Sequence, residues 1–90
     1  MNVLIVGFGT AGKFYLEILK KFNHIEKIYV FDNDIKNIKK SKYYEIINFD
    51  INKILTKKIK HAIVATPSNL HFKYAKILLE HNINILIEKP

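Results

Sequence analysis

Asn2-Val3-Leu4-Ile5-Val6-Gly7-Phe8-Gly9-Thr10-Ala11-Gly12 is the stretch that decides the fold of this 90-residue chain. Asn2 to Val6 is a short, continuously apolar run, the pattern of a strand buried on both faces. Beyond the glycines, Ala11, Phe14, Tyr15, Ile18, Leu19 and Phe22 recur at helical spacing, with Lys13, Glu17, Lys20 and Lys21 largely on the other side. A glycine turn between strand and helix carries chemistry as well as geometry. Gly7 permits the tight turn, Gly9 lets the backbone approach a diphosphate, Gly12 lets helix and strand pack closely, and the helix N-terminus supplies amide donors. The G-x-G-x-x-G spacing alone is weak evidence, and a plain tight turn is its alternative. The chain has three glycines in all, however, and these are the three.

Outward from this turn, strand and helix signals alternate with short connections. Lys27 to Phe31 reads as a second strand, Asp34 to Lys40 as a short helix capped by Asp34, and Tyr44 to Ile47 as a third strand. Residues 50–60 hold a turn or two of helix. His61 to Ala65 is a compact apolar run, followed by Thr66-Pro67-Ser68-Asn69, which stops the strand and offers an N-cap. Leu70 to His81 is helical, with Leu70, Tyr74, Ile77 and Leu78 on one face, and Ile83 to Ile87 closes the series as a fifth strand. Crossovers long enough to carry helices imply a parallel sheet, so the fold class is α/β, a Rossmann-type sheet of about five strands in the order 3-2-1-4-5 with helices on both faces.

Composition removes several function classes. With no cysteine, disulfides, thiolate zinc sites and iron–sulfur clusters are excluded. His24, His61, His71 and His81 form no i, i+4 pair, so no metal is expected. The net charge of +7 invites a nucleic-acid reading, but all fifteen basic residues are lysine, and base readout and phosphate clamps favour the arginine fork. No segment approaches the ~20 apolar residues of a membrane span, and nothing basic precedes Val3-Leu4-Ile5-Val6 as it would a secretory leader. The expectation is a soluble cytoplasmic domain that binds neither nucleic acid nor membrane.

Asp32, at the end of the second predicted strand and twenty residues beyond Gly12, stands where an acid would hold the adenosine ribose of a dinucleotide. Its charge, beside the uncharged Asn33, would repel a 2′-phosphate, so NAD(H) is favoured over NADP(H). The alternative is that Asp32 only starts a turn. In a 3-2-1-4-5 sheet the fourth strand adjoins the first, so Thr66, Pro67, Ser68, Asn69 and His71 line the switch point opposite the glycines. By themselves they read more readily as a helix-capping turn and a structural histidine, and Glu88-Lys89-Pro90 as a solvated loop.

With these pieces in order, the chain resembles the N-terminal domain of the Gfo/Idh/MocA oxidoreductases. The resemblance rests on Gly7-Phe8-Gly9-Thr10-Ala11-Gly12, Val30-Phe31-Asp32, Val64-Ala65-Thr66-Pro67-Ser68-Asn69-Leu70-His71 and Ile87-Glu88-Lys89-Pro90. It implies that the glycine turn holds a diphosphate, that Asp32 and Asn33 meet the adenosine ribose, and that the Thr66–His71 loop borders the nicotinamide. It implies too that Glu88 fixes the cofactor end and that Lys89 is the catalytic group, assisting proton transfer at a sugar, inositol, sugar-nucleotide or related carbonyl or imine substrate. Members of the family continue into a second, substrate-binding domain. Residues 1–90 are accordingly expected to be a dinucleotide-binding domain truncated after Glu-Lys-Pro and catalytically incomplete alone, with a stand-alone NAD(H)-sensing module as the alternative. The open fifth strand predicts self-association into a homo-oligomer.

Overall fold

The computed structural model describes residues 1–88, apart from the side chain of Ile35. Five strands, β1 (Asn2–Val6), β2 (Lys27–Phe31), β3 (Glu45–Ile46), β4 (Ile59–Val64) and β5 (Asn84–Ile87), form one sheet in the order β3-β2-β1-β4-β5. Every pairing is parallel, with Ile5 of β1 facing Val30 of β2 and Ile63 of β4. The expected fold class and strand order hold. β1 lies in the middle because it can: Leu4, Ile5 and Val6 are wholly buried, so neither face needs water.

Three helices cover the sheet. Helix α1 (Thr10–Leu19) packs on one face through Leu16, with Ile5, Phe8, Ile28 and Val30 beneath it. Helices α2 (Ile51–Thr56) and α3 (Ser68–Glu80) pack on the other through Ile54, Tyr74 and Leu78, over Leu4, Val6, Tyr29, Ala62 and Val64. The alternation of each strand's side chains thus feeds two separate cores. Among the described residues no helix is long and apolar enough to cross a membrane.

The rotation of α1 differs from the expectation. Phe14 is 60 % exposed and Phe22, past the helix end, 47 %; the buried face runs through Gly12 and Leu16, flanked by Tyr15 and Leu19. Gly12 sets this register. A Cβ there would lie 2.0 Å from the Gly7 carbonyl oxygen, so the position must face the strand, and Phe14, two residues on, turns away from it.

Other elements shift at their ends. The helix expected over Asp34 to Lys40 is a single 3₁₀ turn, Ile35–Asn37, in which the Asp34 side chain accepts from the Lys36 N–H at 3.0 Å. Asp50 caps α2, accepting from the N–H groups of Asn52 at 2.9 Å and Lys53 at 3.4 Å. Helix α3 begins at Ser68, with Pro67 as its N-cap and no capping side chain, so the cap expected from the Thr-Pro-Ser-Asn run is not made. Its far end is closed by Asn82 at φ +59°, where the Ile83 N–H reaches the Leu78 carbonyl at 3.0 Å and the Asn82 N–H that of Leu79 at 3.1 Å. This is a Schellman stop with asparagine in the place usually held by glycine, and it sets Ile83 into the core just ahead of β5.

Candidate functional site

At the carboxyl ends of β1 and β4 the chain leaves the sheet in two directions, and a cleft of about 690 Å³ opens between the departing loops. This is the topological switch point of a doubly wound sheet, and the volume is that of a small-molecule site. Gly7, Gly9, Thr10 and Ala11 line one margin, Thr66, Pro67, Ser68 and His71 the other; Asp32 and Asn33 lie at one end, and Glu88 also contributes.

The three glycines have different reasons to be there. Gly7 sits at φ +97°, and a Cβ on it would come within 2.8 Å of the backbone of Ala65 and Thr66. Gly12 is held by its contact with Gly7. Both are required by the protein's own packing. Gly9 is not: a Cβ there would meet nothing within 4 Å, and its φ of −76° suits any residue. The space in front of Gly9 is the cleft. Gly9 is also the N-cap of α1, where it supplies no capping side chain, and the first turn holds no acidic residue. The amides of that turn therefore face the cleft with the positive end of the helix behind them.

Asp32 closes this side of the site from within. Its Oδ2 accepts from the Phe8 N–H at 2.5 Å and from Asn37 Nδ2 at 3.3 Å, while Oδ1 accepts from the Asp34 N–H at 2.7 Å. Asp32 does start a turn, and it also ties β2 to the glycine turn. Three of roughly four acceptor positions are filled, which leaves Oδ1 able to take one further donor. Phe8 contributes only its backbone here, since its ring is buried against Tyr44 with centroids 5.1 Å apart. Gly12 is likewise buried behind the cleft and Asn69 exposed beside it; neither lines it.

On the opposite margin two polar atoms, Thr66 Oγ1 and His71 Nε2, are buried with no hydrogen-bond partner among the described residues. Such atoms cost free energy unless something pairs with them. Glu88 extends the ladder beyond β5, its N–H donating to the Val64 carbonyl at 3.0 Å, and its carboxylate accepts from the Tyr15 hydroxyl. That hydrogen bond, then burial, then the Glu88 charge raise the Tyr15 phenol above its ordinary value. Lys89 and Pro90 lie outside the described residues.

Asp34 and Asn37 line the cleft without having been singled out as site residues from the sequence, and Ala65 and Leu70, quoted there only as parts of a strand, a helix and the motif over 64–71, line it too. Asp34 was legible only as a helix cap, and Asn37 follows Asp32 on a turn whose shape the sequence does not announce. Every charged side chain among the described lining residues is acidic: Asp32, Asp34 and Glu88. In a chain of net charge +7, a cleft whose described lining has no lysine or arginine offers an anion its backbone amides and helix dipole. The residues present therefore fit a dinucleotide: an open glycine cradle under an uncapped helix, a ribose acceptor, and two orphaned polar atoms across from them. Among the described residues no group of three or more histidine, aspartate and glutamate side chains is placed to hold a metal ion.

Known proteins agree with this geometry. The family model described as the Gfo/Idh/MocA oxidoreductase family, NAD-binding Rossmann fold, matches residues 1–90. The oxidoreductase YhhX of Escherichia coli K12 is 30 % identical over 95 residues, spanning the whole of this chain and 28 % of that protein. This chain thus covers under a third of that relative's length. Among solved structures, UDP-N-acetylglucosamine 3-dehydrogenase GnnA from Acidithiobacillus ferrooxidans superimposes with a TM-score of 0.74 at 19 % identity, covering 100 % of this chain and 29 % of that one. UDP-D-quinovosamine 4-dehydrogenase from Vibrio fischeri gives 0.70 at 22 % identity, covering 98 % and 77 %. At these identities the two structures speak for the fold.

Proposed function

The chain belongs to the Gfo/Idh/MocA oxidoreductase family as an NAD-binding Rossmann domain, and from that premise we propose that it is the cofactor half of an NAD-dependent dehydrogenase or reductase that prefers NAD(H) to NADP(H). The observation that carries the reading is Gly9. Packing accounts for the other two glycines, whereas Gly9 opens onto an uncapped helix N-terminus that a diphosphate would complete. Asp32 Oδ1 would accept from the adenosine ribose, and Thr66 Oγ1 and His71 Nε2 would find partners at the nicotinamide end.

The nicotinamide, when bound, supplies hydride donation and acceptance. The work of these residues is to bind and to orient. The α1 amides take the diphosphate charge, Asp32 fixes the adenosine end, and Thr66, Leu70 and His71 at the start of α3 cover one side of the reacting ring. Lys89, by its place in Glu88-Lys89-Pro90, is proposed to hold or release the proton at the substrate oxygen through Nζ. The substrate is proposed to be a sugar, inositol, sugar nucleotide or related carbonyl or imine compound, gripped by a second domain for which the greater length of YhhX leaves room. Alone, residues 1–90 should bind nucleotide and transfer no hydride.

The cofactor preference follows from charge. Asp32 and Asp34 both border the adenosine end, and no lysine among the described lining residues offsets them. A 2′-phosphate there meets like charge in a partly screened site, which amounts to at least a tenfold difference, about 1.4 kcal/mol. Calorimetric titration with NADH and NADPH tests this: tighter NADH binding is expected, and equal or tighter NADPH binding would refute the preference.

A further inference from the structure

We propose that Tyr15 is a positioning residue for the nicotinamide end of the cleft, its hydroxyl holding the Glu88 carboxylate in place and thereby fastening the diphosphate-binding helix to the end of β5. This rests on the nucleotide reading above and goes beyond it, because neither the glycine turn nor the Glu-Lys-Pro triplet contains the residue.

The contact is long in sequence and short in space. Tyr15 lies on α1, two strands away from β5 in the sheet, yet its hydroxyl donates to Glu88 Oε2 across 73 positions of sequence. Its ring is half-buried against the core under α1, so the hydroxyl is delivered by a side chain that packing has already immobilised. Glu88 has a backbone fixed on one side by its N–H bond to Val64. A glutamate so placed has free χ angles and would otherwise sample several rotamers. One donor on Oε2 selects among them and leaves Oε1 able to accept from a group in the cleft.

The donor is a durable one. With the phenol raised by Glu88 and by burial, Tyr15 keeps its proton throughout the neutral range and remains a donor. A phenylalanine would preserve the packing and remove only the hydrogen bond.

The test separates the two ends of the ligand. Tyr15→Phe in the 90-residue chain is titrated with NADH, which spans the whole cleft, and with ADP, which reaches only the glycine margin. NADH affinity should fall roughly three- to tenfold, the worth of one hydrogen bond, while ADP affinity stays unchanged. In a Glu88→Ala background the same substitution should add nothing. Ultraviolet titration of the tyrosines gives a readout that needs no ligand, since Glu88→Ala should bring the Tyr15 transition down toward its ordinary position. Equal losses for NADH and ADP would make Tyr15 merely structural, and no loss for either would remove its role; both outcomes overturn the inference while leaving the nucleotide reading intact. A wild-type chain that binds neither ligand overturns both.

Discussion

The two margins of the cleft are built on opposite plans. On the glycine side the scaffold is held by the chain's own contacts and only the first-turn amides of α1 and one position on Asp32 are left to a ligand: Asp32 takes three protein donors, and a Cβ on Gly7 or Gly12 would come within 3 Å of backbone. On the side of β4 and α3, Thr66 Oγ1 and His71 Nε2 are buried without partners among the described residues. The first margin is a finished scaffold whose geometry exists before any ligand arrives. The second carries a polar cost that a ligand would relieve. A site divided in this way should separate stability from binding, margin by margin.

Gly12→Ala breaks the scaffold most severely. A Cβ 2.0 Å from the Gly7 carbonyl cannot be accommodated without moving α1 off the sheet, and the cost should be about 3 kcal/mol or more, a large share of what so small a domain possesses. Urea denaturation should show the midpoint collapse; a midpoint within 1 kcal/mol of the wild type, as a rough bound, would mean that the helix is not held as described.

Asp32→Ala strikes both properties together, because the carboxylate serves the scaffold and the ligand alike. Stability should drop by about 2 kcal/mol as the Phe8 and Asp34 N–H groups lose their acceptor, and the preference for NADH over NADPH should disappear. Retention of that preference would detach Asp32 from the ribose.

Thr66→Val is the counterpart on the open margin. Replacing an unpartnered buried hydroxyl by a methyl should raise stability by about 1 kcal/mol while weakening NADH binding. A variant both less stable and equally tight would show that the hydroxyl serves the fold instead.

The smallest effect lies outside the cleft. Glu45 on β3 meets Lys27 Nζ at 2.8 Å and Lys57 Nζ at 3.5 Å. The Lys27 hydrogen bond foremost, with the charges of Lys27 and Lys57 outweighing some burial, holds its carboxyl below its ordinary 4.5. A lowered carboxyl stabilises the fold above the ordinary value and loses that contribution as pH falls through the lowered one. Glu45→Gln should therefore lower the melting temperature slightly at neutral pH and not at all in strong acid, with nucleotide affinity untouched. A pH-independent difference would dismiss the pair.

The same contrast explains what the sequence disclosed. The glycine margin is written in consecutive residues, Gly7 to Gly12, with Asp32 at the end of the neighbouring strand, so local pattern was enough. The strand order followed from alternating periodicities, because buried parallel strands read as unbroken apolar runs. What escaped depends on contacts between distant positions. Phe14 looks like a core residue until Gly12 fixes the rotation of α1. Asn37 reaches Asp32 only because the chain makes a 3₁₀ turn in place of a helix, and Tyr15 reads as one more apolar helix position until β5 brings Glu88 beside it.

The central claim is that Gly9 is glycine for the sake of a ligand, and Gly9→Ser tests it most directly. Serine is a good N-cap, and its side chain would take the first-turn amides of α1 that a diphosphate would otherwise receive. Paired thermal melts and NADH calorimetry on wild type and variant should show a melting temperature unchanged or raised and an affinity reduced by more than roughly tenfold, the loss of about 1.4 kcal/mol. Unaltered NADH binding by the folded variant, or a wild-type chain that binds no NADH, would contradict the account.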